Sequence, residues 1–232
     1  MDTINIIETK NKRTLIKDGK IVYKSGKEDT LEYGISEIAE QAYMANDDII
    51  RAVLSDSVEK ICDSAFFHCQ NLESVTLPET LTEIGFSAFS HCSVLKSIEL
   101  PFGITKIPSF GFSCTPLEEI SVPDGVEEID SYAFFHCTEL KKIILPASLK
   151  IIDDSAFKDC LMLSEVYYAG SRKDFNMICI NGVGFISPEN IFGTAKIHYS
   201  GEAESVAQEK TSEPTPAKSG IFGAIKNILR KK

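Results

Sequence analysis

Three histidines stand directly before cysteines: His68-Cys69, His91-Cys92 and His136-Cys137. Imidazole nitrogen and thiolate sulfur are the ligands zinc prefers, so these pairs are the first place to look for chemistry. Neighbouring residues on a short turn point in different directions, however, and the spacing supplies no set of four convergent ligands. A surface row of histidines beside buried thiols is the simpler expectation, because an unpaired cysteine packs as a small hydrophobe. Cys62 and Cys179 have no CxxC partner. Disulfides along the cysteine row are left open by spacing, and reduced thiols are what a cytosol would hold. The paired carboxylates Asp47-Asp48 and Asp153-Asp154 could in principle share a proton, but a short charge run in a turn is usually a solvated surface. Phosphate loops, dinucleotide fingerprints, zincin helices and nucleophile elbows are all missing from the sequence. The expectation is a protein without catalysis, cofactor or metal.

Chain-wide chemistry narrows the class further. The formal charge is −10, with 43 % hydrophobic and 25 % charged residues. Six basic and four acidic residues lie from Gly201 onward, leaving 18 basic against 30 acidic before it, a formal −12. Such a body has no clustered cations for phosphate contacts, which excludes general nucleic-acid binding. Residues 1–10 lack the uninterrupted apolar run of a secretory signal, and no stretch approaches the ~20 apolar residues of a membrane span. A cytoplasmic protein is expected.

The elements that carry the histidines and cysteines are repeated. Val58-Glu-Lys-Ile61, Leu81-Thr-Glu-Ile84, Val126-Glu-Glu-Ile129 and Leu149-Lys-Ile-Ile152 each lead into an Ala-Phe pair: Ala65-Phe66, Ala88-Phe89, Ala133-Phe134, Ala156-Phe157. Cys69, Cys92, Cys137 and Cys160 follow three residues later, then Leu72, Leu95, Leu140 and Leu163. Alternating pairs come next: Val75/Leu77, Ile98/Leu100, Ile143/Leu145 and Val166/Tyr168. The copy from Ile104 keeps Ile107, Phe112, Leu117, Ile120 and Val122, has Gly111 for alanine, and brings Cys114 one residue early. Starts at 58, 81, 104, 126 and 149 are 23, 23, 22 and 23 apart. A degenerate copy precedes them at Ile35, Ile38, Ala42, Tyr43, Ile49 and Leu54, with Asn46 in the cysteine slot.

A fixed period of this length means stacked units that bury one continuous core. The alternating pairs are short strands with both apolar side chains on one face, and Pro78, Pro101, Pro123 and Pro146 close them because proline gives the ladder no N–H. The Ala-Phe-x-x-Cys-x-x-Leu segment has roughly helical spacing. From Ile35 to Tyr168 the pattern resembles the 23-residue leucine-rich repeat of the BspA-like class. The resemblance continues into a closing segment with Phe175, Ile178, Ile180, Asn190 and Ala195-Lys-Ile-His-Tyr199. It implies a curved solenoid used in adhesion or protein binding, without catalysis, and its well-known members are exported surface proteins.

The expected architecture is an α/β repeat: a right-handed leucine-rich-repeat solenoid with short parallel strands. Residues 1–33 form an N-terminal β cap, a hairpin of Thr14–Lys17 and Lys20–Tyr23 around Asp18-Gly19. Repeats fill 34–168, about six with the first degenerate, and 169–200 close the far end. From 201 to 218 the composition is that of a disordered linker. From 219 to 232, Ile221, Phe222, Ile225, Ile228 and Leu229 recur at helical spacing behind Ser219, with Lys226, Arg230 and Lys231 off the stripe. That cationic amphipathic helix suits an anionic membrane surface or a groove on a partner protein.

Outward strand positions supply the candidate protein-binding surface: Thr76, Glu99, Ser121, Lys142, Ile144, Glu165 and Tyr167, with Ile144 and Tyr167 as the apolar centre. The expected function is a protein-interaction scaffold binding an unidentified protein through this face. The alternative is a cell-surface adhesin of the BspA-like type, exported without a classical signal peptide.

Overall fold

The computed structural model describes residues 36–182 and 188–200 in full and, before them, the backbone of three strands. These are β1 (Asn5–Thr9), β2 (Arg13–Lys17) and β3 (Lys20–Val22). β2 and β3 pair antiparallel, Lys17 opposite Lys20, with Asp18-Gly19 between them in the sequence. β1, absent from the expected hairpin, pairs antiparallel with β2. Its other edge runs antiparallel to β5 (Ile49–Val53). Ile35 and residues 201–232, with the proposed linker and amphipathic helix, lie outside the described residues.

From residue 36 the chain is a parallel-strand β-solenoid of about six turns. Each coil visits three sides. One carries the alternating pairs as β5, β7 (Ser74–Thr76), β10 (Glu119–Ser121), β12 (Lys142–Leu145), β14 (Glu165–Tyr168) and β16 (Lys196–Tyr199). A second sheet, not expected from the spacing, forms from the starts of the coils. Its strands are β4 (Glu37–Ile38), β6 (Lys60–Ile61), β8 (Glu83–Ile84), β9 (Lys106–Ile107), β11 (Glu128–Ile129), β13 (Ile151–Asp153) and β15 (Cys179–Asn181). In β6, β8, β9 and β11 the isoleucine is buried and the charged residue before it faces out. β15 adds to β13 and β16 to β14, both parallel, so the segment after the last repeat extends both sheets.

The third side corrects the expected helix. Ala-Phe-x-x-Cys folds as successive turns, and among the described residues the helices are two of four residues, α1 (Arg172–Phe175) and α2 (Pro188–Ile191). The cause is a pair of left-handed residues four apart, Ser64 (φ 55°) with His68 (φ 60°) and Ser87 (φ 52°) with His91 (φ 60°). An α-helix needs unbroken negative φ. Each such residue instead sits third in a four-residue turn: Ala65 N–H donates to Cys62 O and Cys69 N–H to Phe66 O. The N–H groups between them reach sideways. Ser64, Phe66 and His68 donate to Phe86, Ala88 and Ser90 of the next coil at 2.8–2.9 Å. The turns are therefore stacked by their own backbone ladder. No helix among the described residues is long and apolar enough to cross a membrane.

Down the middle runs an aromatic spine. Tyr43, Phe66, Phe89, Phe112, Phe134 and Phe157 stack with centroids 5.1–5.8 Å apart, and Phe192 extends the row at 5.0 Å from Phe157. Phe66, Phe89, Phe112 and Phe134 are fully buried. Beside the spine, Cys69, Cys92, Cys137 and Cys160 donate their thiol hydrogens to the carbonyls of Tyr43, Phe66, Phe112 and Phe134 at 3.0–3.2 Å. Buried carbonyls have a second lone pair to satisfy, which explains a cysteine rather than an aliphatic side chain here. In the 22-residue coil Thr115 stands at this position, buried, but its hydroxyl donates to Phe112 O of its own coil at 2.6 Å rather than to the coil before. Cys114 is thus not an early copy of the repeat cysteine. It occupies the left-handed position of the histidines (φ 56°).

Both sheets are interrupted at the third coil, residues 81–103. Ile98 stays buried, but 95–100 form no strand, against the pairing expected of Ile98/Leu100. The second sheet stops at β8 and restarts at β9. One missing donor marks the break. At this place in the coil Cys62, Gly85 and Asp130 donate their N–H to Ile38, Ile61 and Ile107 at 2.7–3.0 Å. Pro108 has no N–H to give to Ile84.

Candidate functional site

On the first face, strand pairing sets the outward side chains in two columns. Glu119, Lys142, Glu165 and Lys196 are in register across β10, β12, β14 and β16, as are Ser121, Ile144, Tyr167 and His198. Each element presents these residues because its other side chains, Ile120, Ile143, Leu145, Val166 and Tyr168, are buried. Of the sequence-predicted residues, Ser121, Lys142, Ile144, Glu165 and Tyr167 come together here. Thr76 belongs to the other stretch of sheet, on β7, and Glu99 to the strandless segment between them.

Most of the polar side chains in the cluster have partners. Lys142 Nζ lies 3.4 Å from Glu119 Oε2 and 5.6 Å from the centre of the Tyr167 ring. Glu165 Oε2 meets His198 Nε2 at 2.5 Å, and the His198 ring lies flat on Tyr167, centroids 4.4 Å apart and 6° from parallel. Beside the first column, Lys96 and Lys141 flank Glu118 at 3.4 and 3.6 Å. Exposed pairs of this kind add at most about 1 kcal/mol each to stability. Their effect is geometric: they fix the side chains around a half-buried Ile144 and Tyr167. Sequence reasoning missed His198 and Lys196, while Glu119 was already among the outward strand positions. The signal was present, since Lys196-Ile-His-Tyr199 repeats the out-in alternation of the strands although the 23-residue period has ended.

The turn face carries the histidine row. His68 and His91 rings are 5.8 Å apart. Burial lowers the His91 pKa, and the neighbouring His68 and His136 add like-charge repulsion. All seven cysteines are unpaired. Burial pushes Cys69 and Cys137 up to about 11 and also raises Cys92 and Cys160, so these thiols stay protonated donors. Among the described residues no three His, Cys, Asp or Glu side chains converge to hold a metal ion. Asp153 of the paired acids is engaged by the backbone N–H of Ser155 at 3.0 Å, a turn contact.

Comparisons agree with this architecture. A leucine-rich cell surface protein from Faecalibacterium prausnitzii is 34 % identical over 59 % of this chain and 36 % of its own, with a TM-score of 0.56. The T. pallidum leucine-rich repeat protein is also 34 % identical, over 58 % of this chain and 63 % of its own, at a TM-score of 0.56. A leucine-rich repeat protein from Bacteroides ovatus, 21 % identical, shares the fold over 86 % of this chain and 70 % of its own, with a TM-score of 0.53. The chain spans about a third of the first of these and under two thirds of the second. A search of curated proteins finds no match. The BspA type leucine-rich repeat region matches residues 36–164 in six copies, the six coils described above, and the chain belongs to that family.

Proposed function

We propose that the chain is a non-catalytic interaction scaffold that binds a protein across the C-terminal half of its first strand face. The observation that carries this is the paired column Ser121, Ile144, Tyr167 and His198, flanked by the Glu119–Lys142 ion pair and by Glu165 bonded to His198. A partner seated there desolvates an aliphatic and aromatic centre while Glu119, Lys142 and Glu165 keep their own partners. Such a centre is where interfaces concentrate their energy, whereas a stranded ion would cost several kcal/mol. Lys142, Glu165 and Tyr167 are the principal contacts, and Thr76 and Glu99 lie at the periphery. In this reading the protein works in the cytoplasm. Ile221, Phe222, Ile225, Lys226, Ile228, Leu229 and Arg230 dock it to an anionic membrane surface or to a protein groove. Likeness to the Faecalibacterium cell surface protein favours a second reading, an adhesin displayed outside the cell with the same face turned to its ligand.

The experiment is cross-linking from a photoreactive side chain placed at Glu99, followed by affinity measurement on the captured protein. Ile144→Ala and Tyr167→Ala should each weaken binding at least tenfold, while both proteins melt within a few degrees of the parent. Unchanged affinity in both variants removes the strand-face assignment. Fractionation of the full chain beside a version ending at Ser200 tests the docking role, and identical distribution of the two ends it.

A further inference from the structure

The interruption at the third coil leaves an open groove of about 490 Å³ on the second sheet, between β8 and β9. Its walls include Asp63, Glu83, Phe86, Lys106, Pro108 and Asp130. Two independent features mark it. The first is electrical. Lys106 is held between Asp130 at 2.9 Å and Glu128 at 3.2 Å, and Glu83 is matched by Lys60 at 2.7 Å. Asp63 meets the Phe86 N–H at 2.8 Å and no cation among the described residues. Ile84 also lines the groove, and its carbonyl lacks the donor that proline replaced. The local balance is therefore acidic, with acceptor groups left over.

The second feature is aromatic. Phe86, 48 % exposed, meets Phe110 edge-on at 5.6 Å, and Phe110 stacks on Tyr132 at 4.9 Å. None belongs to the spine. Phe110 and Tyr132 occupy left-handed positions (φ 55° and 56°) where the preceding coils carry Ser64 and Ser87. A bulky residue there is strained by about 1–2 kcal/mol, and both rings are only partly buried. Strain held at a surface is a pointer to function.

We propose that this groove is a second interaction surface, taking an arginine side chain from an extended cationic segment of a partner protein. The flat guanidinium lies against Phe86, which Phe110 contacts edge-on, and donates to Asp63 and the Ile84 carbonyl. Arginine suits the site better than lysine because its planar fork stacks on rings and donates in several directions at once. The surface shares no residue with the first strand face, so either assignment can fail alone.

The test is NMR titration of the full protein with a capped Gly-Leu-Arg-Leu-Gly peptide and with the same peptide carrying uncharged citrulline. The arginine peptide should shift the amides of Asp63, Ile84, Phe86 and Phe110, and citrulline should weaken binding at least fivefold. Phe86→Ser and Phe110→Ser place the residue other coils already carry at those positions, so the fold is retained. Each should weaken arginine-peptide binding at least threefold, and Tyr167→Ala should leave it unchanged. Equal binding of the citrulline peptide, shifts spread over the whole acidic surface, or full binding by Phe86→Ser would each overturn the proposal.

Discussion

The fourth to sixth coils and the third coil share one repeat pattern, yet their backbones are tied differently. From the fourth coil on, β10, β12, β14 and β16 form one ladder and β9, β11, β13 and β15 another. At the third coil both ladders lapse. Besides the Phe86–Phe110 ring contact and the Lys96–Glu118 ion pair, the fourth coil is reached by the spine contact of Phe89 with Phe112, three turn-face bonds from Ser87, Phe89 and His91 at 2.8–3.1 Å, and the bond from Glu118 N–H to Lys96 O. Side-chain stacking and backbone pairing are thus separable in this fold. The repeat residues secure the first everywhere, whereas the second lapses where Pro108 offers no N–H and where 95–100 form no strand. Stability of a solenoid is a sum of coil and neighbour terms, so this junction is the expected boundary between two cooperative units.

The largest test compares two rings of the spine. Phe112→Ala and Phe134→Ala each remove a fully buried ring and should each cost about 3–5 kcal/mol. The consequences differ. Phe134 lies among coils joined on three sides, so its loss should leave one steep urea transition. Phe112 carries the tie across the interrupted junction. Its loss should broaden the transition and lower the apparent m-value as the two parts melt separately. Equal m-values in the two variants would show that the junction transmits cooperativity as well as any other.

A smaller effect restores the missing donor. Pro108→Ala offers an N–H to Ile84 O, a net gain of about 1 kcal/mol. The freer unfolded chain offsets roughly 0.4–1 kcal/mol of it. Melting will barely register the change, but hydrogen exchange will. In the parent, the amides of Ser97–Leu100 should exchange at least tenfold faster than those of Ile143–Leu145. In Pro108→Ala the new amide at 108 should be protected, and arginine-peptide binding should fall as the groove closes. An unprotected amide at 108 means that proline is not what holds the sheets apart.

Most of this molecule could be read from its amino acids, and the exceptions have physical causes. The spine, the buried leucines and the outward strand residues follow from periodicity, because stacking repeats the same contact at the same spacing. The turn face was misjudged because i, i+3 spacing is common to helices and to successive turns. Only backbone angles at Ser64 and His68 separate the two, and although histidine is enriched at positive φ, serine gives no such sign. Thr115 was overlooked for Cys114 because matching by residue type ignores position: Thr115, not Cys114, is the buried residue three places after the spine ring Phe112. In the candidate site, Ile144 and Tyr167 were visible. His198 was not, since the chain reaches it through α1, β15 and α2 rather than at the repeat interval.

The smallest effect concerns pH at the same junction. His91 is in the third coil, and its own N–H makes one of the turn-face bonds that cross to the fourth. Burial, then repulsion from His68 and His136, holds its pKa below the ordinary 6.5. The unfolded chain therefore takes up a proton at a higher pH than the folded one, and stability must rise with pH in that range. This group's contribution is complete at neutral pH and declines as pH falls through about 6.5 toward the lowered folded value. His91→Asn keeps a residue that tolerates positive φ and removes the titration. The parent should lose more stability than the variant between pH 7 and 5. Its exchange should also quicken first at Ser97–Leu100, because the tie being loosened is one of the few holding that coil to the next. Parallel stability curves for the two proteins would detach the histidine row from the mechanics of the junction.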